Sequence, residues 1–286
     1  MRKLTLLMAT LMCGAWCATA QTTEKGYEYV DLGLPSGLKW ATCNVGATAP
    51  EDYGNYYAWG ETEPKTTYDW STYKWCNGRY DTQTKYCTSG RYGTVDDKTV
   101  LELADDAARA NWGGQWRMPT DDEWTELREN CTWTWTSDYN GTGVAGRIVT
   151  SKTNSNSIFF PAAGYRGSDD LNNAGGNGFY WSSSLYTDGP LNAWGVYFCS
   201  ANLYGGSLGR YCGRSVRGVV KESGSITALQ PATAAVNIYT QNGRIVCAVE
   251  FRIYDLLGRD VTRENGSLHG IYVVKSDEMA VKVVVK

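Results

Sequence analysis

Histidine is almost absent from this 286-residue chain, which contains His269 alone. Nucleophilic catalysis by a serine or a cysteine normally relies on a nearby imidazole as the base. His269 comes late in the chain, beside Gly270 and far from the aromatic-rich region. We therefore predict that the protein is not an enzyme.

Three other absences narrow the function further. Positive charge is not in excess, since 27 Lys and Arg face 30 Asp and Glu, so we expect no nucleic-acid partner. No two cysteines have the C-x-x-C spacing of zinc and redox motifs, so no metal site and no cofactor are predicted. After the first 20 residues there is no long hydrophobic run, so no membrane span is expected.

The first 20 residues themselves have the pattern of a secretory signal peptide. Arg2 and Lys3 precede an apolar run from Leu4 to Trp16, and Ala18-Thr19-Ala20 forms an A-x-A cleavage site. We predict that residues 1–20 are removed and that the protein is exported, to the cell surface or the extracellular space.

Seven cysteines follow the predicted signal peptide. Disulfides are the usual state of cysteines in an exported protein, although spacing does not specify connectivity and an odd number leaves one thiol unpaired. The candidate pairs are Cys76 with Cys87 and Cys199 with Cys212.

The sequence is rich in Trp and Tyr, with 12 and 20 residues against 5 Phe. Residues 179–220 concentrate aromatic, Asn and Gly residues, which suit a binding surface because they give contact area at low entropic cost. Within this stretch we predict two paired strands, Ala193–Ser200 and Tyr211–Val220, joined by a turn at the glycine-rich residues 205–209.

This stretch also supplies the predicted ligand contacts, with a glycan or a surface protein as the ligand. The alternative is a structural subunit whose aromatic residues form its core. The predicted contact residues are Tyr186, Asn192, Trp194, Tyr197, Asn202, Tyr204, Arg210 and Tyr211.

Two helices are expected before this stretch. Asp105–Trp112 is the first, with Asp105 capping its start, and Asp121–Asn130 is the second, with a capping box at Thr120 and Glu123. The segment 61–101, before the first helix, is polar and irregular. We interpret it as a long surface excursion. Short strands are expected at 27–32, 38–41, 56–59, 132–136 and 157–161. The predicted class is α+β, with a loop-rich antiparallel sheet.

Calcium binding and glycosidase catalysis are two weaker alternatives. The run Ser168–Asn173 could offer oxygen ligands to calcium, but its spacing is not that of an EF-hand loop. Paired carboxylates of a glycosidase would have to flank a sugar. The obvious acidic pairs, Asp105 with Asp106 and Asp121 with Asp122, are already explained as helix starts.

The composition changes after Val220. Residues 221–230 are predicted to be a linker, and residues 231–286 a small all-β sandwich of short alternating strands. The strands are expected at 236–239, 244–249, 251–254, 270–275 and 281–285.

Five short motifs in residues 26–220 resemble the Fibrobacter succinogenes major paralogous domain of exported proteins from gut Bacteroidetes. They are YVDLGLPSGLKWATCNVGA at 29–47, GQWRMPT at 114–120, FPAAGYR at 160–166, YWSSS at 180–184 and SVR at 215–217. The resemblance implies a C-type lectin-like fold of the formylglycine-generating-enzyme variety. In relatives of this fold, the segment matching 186–211 displays the residues that contact the ligand.

The resemblance also raises a copper oxidase as an alternative, because formylglycine-generating enzymes hold copper with two closely spaced cysteines. Here Cys199 and Cys212 are thirteen residues apart, and that family's short cysteine-containing run is absent. At the end of the chain, residues 249–261, 268–275 and 281–286 resemble the C-terminal sorting domain of type IX secretion substrates.

Overall fold

The computed structural model describes residues 23–221, 239–241, 244–246, 251–255, 258–275 and 280–285. The chain divides into two compact units, Met1–Ser223 and Gly224–Lys286, named here the large unit and the small unit. The predicted signal peptide and nearly all of the predicted linker lie outside the described residues. In the described part, no helix combines the length and the apolar character that crossing a bilayer requires.

The large unit is built mainly from short antiparallel strands. The strands described in it are β1 (Thr23–Glu24), β2 (Tyr27–Asp31), β3 (Lys39–Asn44), β4 (Cys131–Thr136), β5 (Gly146–Ser151), β6 (Ser157–Pro161), β7 (Tyr165–Gly167), β8 (Asp170–Asn172), β9 (Gly178–Leu185), β10 (Asn192–Phe198), β11 (Leu203–Gly209) and β12 (Arg217–Val220).

Four sheets arise from these strands. The first has the order β1-β2-β3-β12, so the last strand of the large unit joins the sheet of its first three strands, with Val220 opposite Lys39. The others are β4-β5-β6, the hairpin β7-β8, and β9-β10-β11 with β10 in the middle. With two α-helices, the described architecture is consistent with the predicted α+β class.

The two helices are α1 (Ala107–Trp112) and α2 (Asp121–Asn130). The bounds and the capping box predicted for α2 are confirmed, with Thr120 accepting from the backbone N–H of Glu123. The predicted cap of α1 is wrong: Asp106, and not Asp105, accepts from the N–H of Arg109. Asp105 instead accepts from the Tyr86 hydroxyl at 2.6 Å, which links α1 to the preceding loop.

Buried tryptophans organise the core of the large unit. Trp59, Trp116, Trp124 and Trp181 are all fully buried. Each indole N–H donates to a backbone carbonyl, those of Ser182, Glu24, Trp181 and Tyr57 respectively. Each of these indoles therefore fills apolar volume and also satisfies a backbone acceptor.

The segment 61–101 is irregular, as expected, but it is not a surface excursion. Tyr68, Tyr73 and Tyr86 within it are buried. The Tyr73 hydroxyl donates to the carbonyl of Trp59 at 2.8 Å, and that of Tyr68 donates to the carbonyl of Tyr56 at 2.6 Å. The prediction missed this because tyrosines spaced without period give no signal of burial before the fold is known.

The small unit contains only strands and one short 3₁₀ turn among its described residues. The strands are β13 (Tyr239–Gln241), β14 (Arg244–Val246), β15 (Arg252–Tyr254), β16 (Gly270–Lys275) and β17 (Ala280–Val285). They form the sheets β13-β14 and β15-β16-β17, near the predicted positions. Its core is formed by Ile245, Ile253, Leu268, Val274 and Val285.

Candidate functional site

The sheet β9-β10-β11 carries the stretch in which binding is predicted. The predicted first strand corresponds to β10, but its predicted partner is wrong. The glycine-rich segment expected to be a turn is β11, and it pairs with β10 over seven residue pairs. The turn lies at 199–202, where Cys199 N donates to the carbonyl of Asn202. Of the second predicted strand only β12 forms, in another sheet.

One glycine of β11, Gly205, lies against a long side chain of α2. A Cβ on Gly205 would lie 2.9 Å from the guanidinium of Arg128, which packs against this strand from α2. The glycine therefore allows a close approach of a long side chain, and its conformational freedom is not used for a turn.

Three aromatic rings cross this sheet in register and form what we call the aromatic ladder: Phe179 on β9, Tyr197 on β10 and Tyr204 on β11. Tyr197 lies directly opposite each of the other two. The ring centroids are 4.9 Å apart for Phe179 and Tyr197, and 6.1 Å apart for the nearly parallel Tyr197 and Tyr204. Tyr204 is 53% exposed, and Tyr165 extends the row by packing edge-on against Phe179. The result is one continuous aromatic surface.

Arg147 of β5 holds the turn 199–202, which lies beside the ladder, by hydrogen bonds. This buried guanidinium donates to the carbonyls of Cys199 at 2.7 Å, Asn202 at 3.2 Å and Trp133 at 2.7 Å. Each acceptor is backbone, so the contacts fix the path of the chain between Tyr197 and Tyr204. The ladder is therefore supported by a rigid turn.

The predicted contact residues differ in their exposure and in their position on the sheet β9-β10-β11. Asn202, at the anchored turn, is exposed, and Tyr197 and Tyr204 belong to the ladder. Tyr186 and Trp194 form a separate edge-to-face pair with centroids 5.0 Å apart. The half-buried residues of the predicted set are Tyr186, Asn192, Trp194, Tyr197 and Tyr211.

Sequence reasoning missed Phe179, Tyr165 and Asn177. Asn177 donates its side-chain amide N–H to the Tyr197 hydroxyl at 2.8 Å. Alternation along β9 was a usable signal for Phe179, but only the register between β9 and β10 shows that it faces Tyr197.

Arg210 is wrong as a ligand contact. Its side chain is fully buried. The guanidinium donates to the Tyr73 hydroxyl at 2.7 Å and to the carbonyls of Tyr86, Pro190 and Lys85, each at 2.8 Å. Arg210 therefore connects the segment 61–101 to the end of β11 in the sheet β9-β10-β11.

A cleft of about 610 Å³ adjoins the ladder. Tyr165 and Phe179 line it and also belong to the ladder row, so the two surfaces are continuous. Its other contributors with polar side chains are Ser168, Asp170, Asn172, Asn173, Tyr211, Cys212 and Arg214.

Arg214 lies in the wall of this cleft and is only 6% exposed. Its guanidinium carbon is 5.3 Å from the ring centroid of Tyr165, 4.9 Å from that of Phe179 and 5.0 Å from that of Trp181. Burial among these rings lowers its pKa to about 10. Its backbone is held by reciprocal hydrogen bonds with Tyr57 at 3.0 Å.

The predicted disulfides are wrong, because all four candidate cysteines are free. Cys199 follows one end of the β10-β11 pairing and Cys212 follows the other, and the paired stretch itself spans roughly 20 Å at ~3.3 Å per residue. A disulfide needs Cα atoms within about 7 Å. The thiols of Cys76 and Cys87 each donate to a nearby carbonyl instead, those of Trp70 and Ser89. Free thiols are what the copper alternative requires, and Cys199 and Cys212 follow opposite ends of the β10-β11 pairing.

The candidate calcium loop forms the hairpin of β7 and β8. Within it, Asp169 accepts from the Thr67 hydroxyl at 2.6 Å and so joins the hairpin to the segment 61–101. Among the residues that the structure describes, no group of three or more His, Cys, Asp or Glu is placed to hold a metal.

One buried carboxyl outside the cleft has a shifted pKa. Burial raises the pKa of Asp106 to about 6. Its two oxygens accept from the N–H groups of Arg109 and Met118, at 3.0 and 2.7 Å. Asp106 thus caps α1 and connects it to the next segment, which accounts for its burial.

Comparison with models of protein families, with curated proteins and with solved structures found no match for this chain.

Proposed function

We propose that the large unit is an exported, non-catalytic recognition module that binds a saccharide on the aromatic ladder. The observation that carries the proposal is the register that places Phe179, Tyr197 and Tyr204 side by side, with Tyr204 the most exposed of the three. A row of flat rings suits the apolar C–H faces of sugar rings, which stack on aromatic surfaces.

Polar groups around the ladder supply the second requirement of a saccharide site. Asn202 is exposed at the anchored turn, and Asn177 holds the Tyr197 hydroxyl. Amides and phenols can donate to and accept from sugar hydroxyls, while the rings give contact area at low entropic cost. Two features support pre-organisation: Arg147 fixes the turn, and cross-strand pairing fixes the ring spacing.

The proposed scaffold is C-type lectin-like. Three features support it: the pairing of the last strand, β12, with the early strand β3, the two helices, and the irregular segment 61–101, whose Tyr86 and Leu101 share a core with Trp181 of β9 and Ala193 of β10. The proposed role of the small unit is that of a sorting domain, supported by its five short strands and its alternating Val and Lys ending.

The test is saccharide binding by residues 21–286 and by two matched variants. Tyr204→Ala removes the exposed end of the ladder, whereas Tyr80→Ala removes a tyrosine of similar exposure, 49%, elsewhere on the large unit. A glycan array of neutral and acidic oligosaccharides identifies ligands, and calorimetry measures their affinity. We expect Tyr204→Ala to weaken binding about tenfold or more, and Tyr80→Ala to leave it unchanged.

Two results would contradict the proposal. One is a wild-type protein that binds no saccharide on the array. The other is binding that Tyr204→Ala does not weaken, which would leave the ladder as a contact surface for a protein or as part of a structural subunit.

A further inference from the structure

Arg214 differs from Arg147, Arg210 and Arg217 in the hydrogen bonding of its guanidinium. Its Nε and Nη1 atoms are buried and have no hydrogen-bond partner. Arg147, Arg210 and Arg217 are buried to a similar degree, and each donates to several oxygens. A buried guanidinium without hydrogen bonds is costly, because the water that it loses is not replaced.

Among the residues that the structure describes, no ion pair joins Arg214 to a carboxylate. The groups that act against the burial in setting the Arg214 pKa are the Cys212 thiol and the Tyr165 and Tyr211 phenols. Burial raises the pKa of Cys212, so its thiol is neutral at pH 7. The pKa of Tyr211 is also raised, above all by Cys212. The rings around Arg214 attract the cation through their faces, but they accept no strong hydrogen bond.

The surroundings of Arg214 are those of a ligand site. It lies in the wall of the cleft, which Ser168, Asn172 and Asn173 also line. The one carboxylate of the cleft lining, Asp170, is exposed, so water screens its repulsion of an anion. Tyr165 and Phe179 join this cleft to the aromatic ladder.

We propose that the cleft binds the acid group of a saccharide, a carboxylate or a sulfate ester, with Arg214 as its counter-ion while the neighbouring sugar rings lie on the ladder. This inference rests on the proposed function and narrows it to acidic glycans. An oxyanion in the cleft would neutralise the charge of the guanidinium and accept hydrogen bonds from the part of it that faces the cleft. The amides and the hydroxyl of the cleft would receive the sugar hydroxyls.

The main test compares ligands that differ only in charge. Calorimetry with residues 21–286 would measure binding of tri-galacturonic acid, its methyl ester and a sulfated galactose trisaccharide. We expect the acid to bind at least about tenfold more tightly than the ester, which is the discrimination of one well-formed charge-assisted contact. This comparison needs no variant, so it does not depend on how a substitution folds.

Three variants assign the effect to the cleft. Arg214→Met should abolish the preference for acid over ester, and Arg214→Lys should retain part of it. Arg91→Met removes one exposed positive charge outside the cleft and should preserve it. The trisaccharide with the larger preference, carboxylate or sulfate, identifies the acid group.

The two proposals fail in different ways. Equal binding of acid and ester, with Tyr204→Ala still weakening both, overturns the acid-group inference and leaves the ladder as a neutral saccharide site. Absence of any saccharide binding overturns both. Thermal shifts in sodium sulfate, measured for the wild type and Arg214→Met, then show whether Arg214 holds a free anion, which would contradict a saccharide ligand.

Discussion

Arg210 and Arg214 stand four residues apart and both are buried near aromatic rings, yet they differ in their hydrogen bonds. Arg210 donates to three backbone carbonyls and a phenol, and so holds an irregular segment against the central sheet. Arg214 is surrounded by rings, and two of its nitrogens have no partner. The comparison separates a buried charge that stabilises the fold from one whose partner is missing.

The difference follows from what each side chain can reach. Arg210 follows β11 and lies where carbonyls of the loop 85–86 and of Pro190 converge. Around Arg214 the backbone is already paired, with Tyr57 on one side and the neighbouring Gly213 bonded to Arg166. Its side chain therefore faces ring surfaces and the cleft.

The largest expected effect is the difference in stability between two equivalent substitutions. Arg210→Met leaves three buried carbonyls without a donor, so we expect it to lower the free energy of unfolding by at least about 3 kcal/mol. Arg214→Met removes an unpaired buried charge and should change it by less than about 1 kcal/mol, or raise it. Urea unfolding followed by tryptophan fluorescence reports the large unit, since every Trp from Trp40 onward lies between 40 and 194. Equal losses in the two variants would remove the distinction.

Arg147 sharpens the comparison because it resembles Arg210 in its contacts but supports the ladder. Arg147→Met should cost about 2–3 kcal/mol of stability by freeing the carbonyls of the turn 199–202. It should also weaken saccharide binding, because Tyr197 and Tyr204 flank that turn. Calorimetric binding and urea unfolding of the same variant measure both. Full affinity in a destabilised variant would show that the ladder does not depend on the turn.

Asp106 provides the anionic counterpart, a buried charge that keeps its hydrogen bonds. Its folded pKa of about 6 is above the ordinary 3.8, so its contribution favours the folded state below pH 4 and is lost as the pH rises through 6. Relative to Asp106→Asn, the wild type should lose up to about 2–3 kcal/mol between pH 4 and 7. Unfolding free energies of both proteins across this range measure the slope. Parallel pH profiles would mean that the Asp106 pKa is not raised.

The smallest effect concerns whether Arg214 has a hidden counter-ion. If Cys212 were a thiolate, it would be the counter-ion of Arg214, and Arg214 would no longer differ from Arg210 in lacking a partner. Burial raises the pKa of Cys212, whereas the backbone N–H of Ala201 above all lowers that of Cys199. Iodoacetamide at neutral pH should therefore label Cys199 before Cys212. Peptide mass spectrometry resolves the two sites, and faster labelling of Cys212 would identify it as the internal partner.

Prediction from the sequence succeeded where the signal is local. The capping box and the periodic residues after it predicted α2 at Asp121–Asn130. Alternation located β4 and the strands of the small unit close to their observed positions, and a short apolar run located β6. It failed where long-range pairing decides. Residues 205–209 have turn composition, yet they lie in a strand because β10 and Arg128 pack against them.

For the candidate site, composition was enough to point to Tyr197, Asn202 and Tyr204. Composition could not separate Arg210 from Arg214, since both are arginines in the same glycine- and tyrosine-rich surroundings. The sequence by itself determined that aromatic and amide side chains are concentrated in this stretch. Only the tertiary structure decided which of them align across three strands and which guanidinium lacks partners. The alignment depends on the register between paired strands, and the hydrogen bonds of these arginines depend on residues more than a hundred positions away.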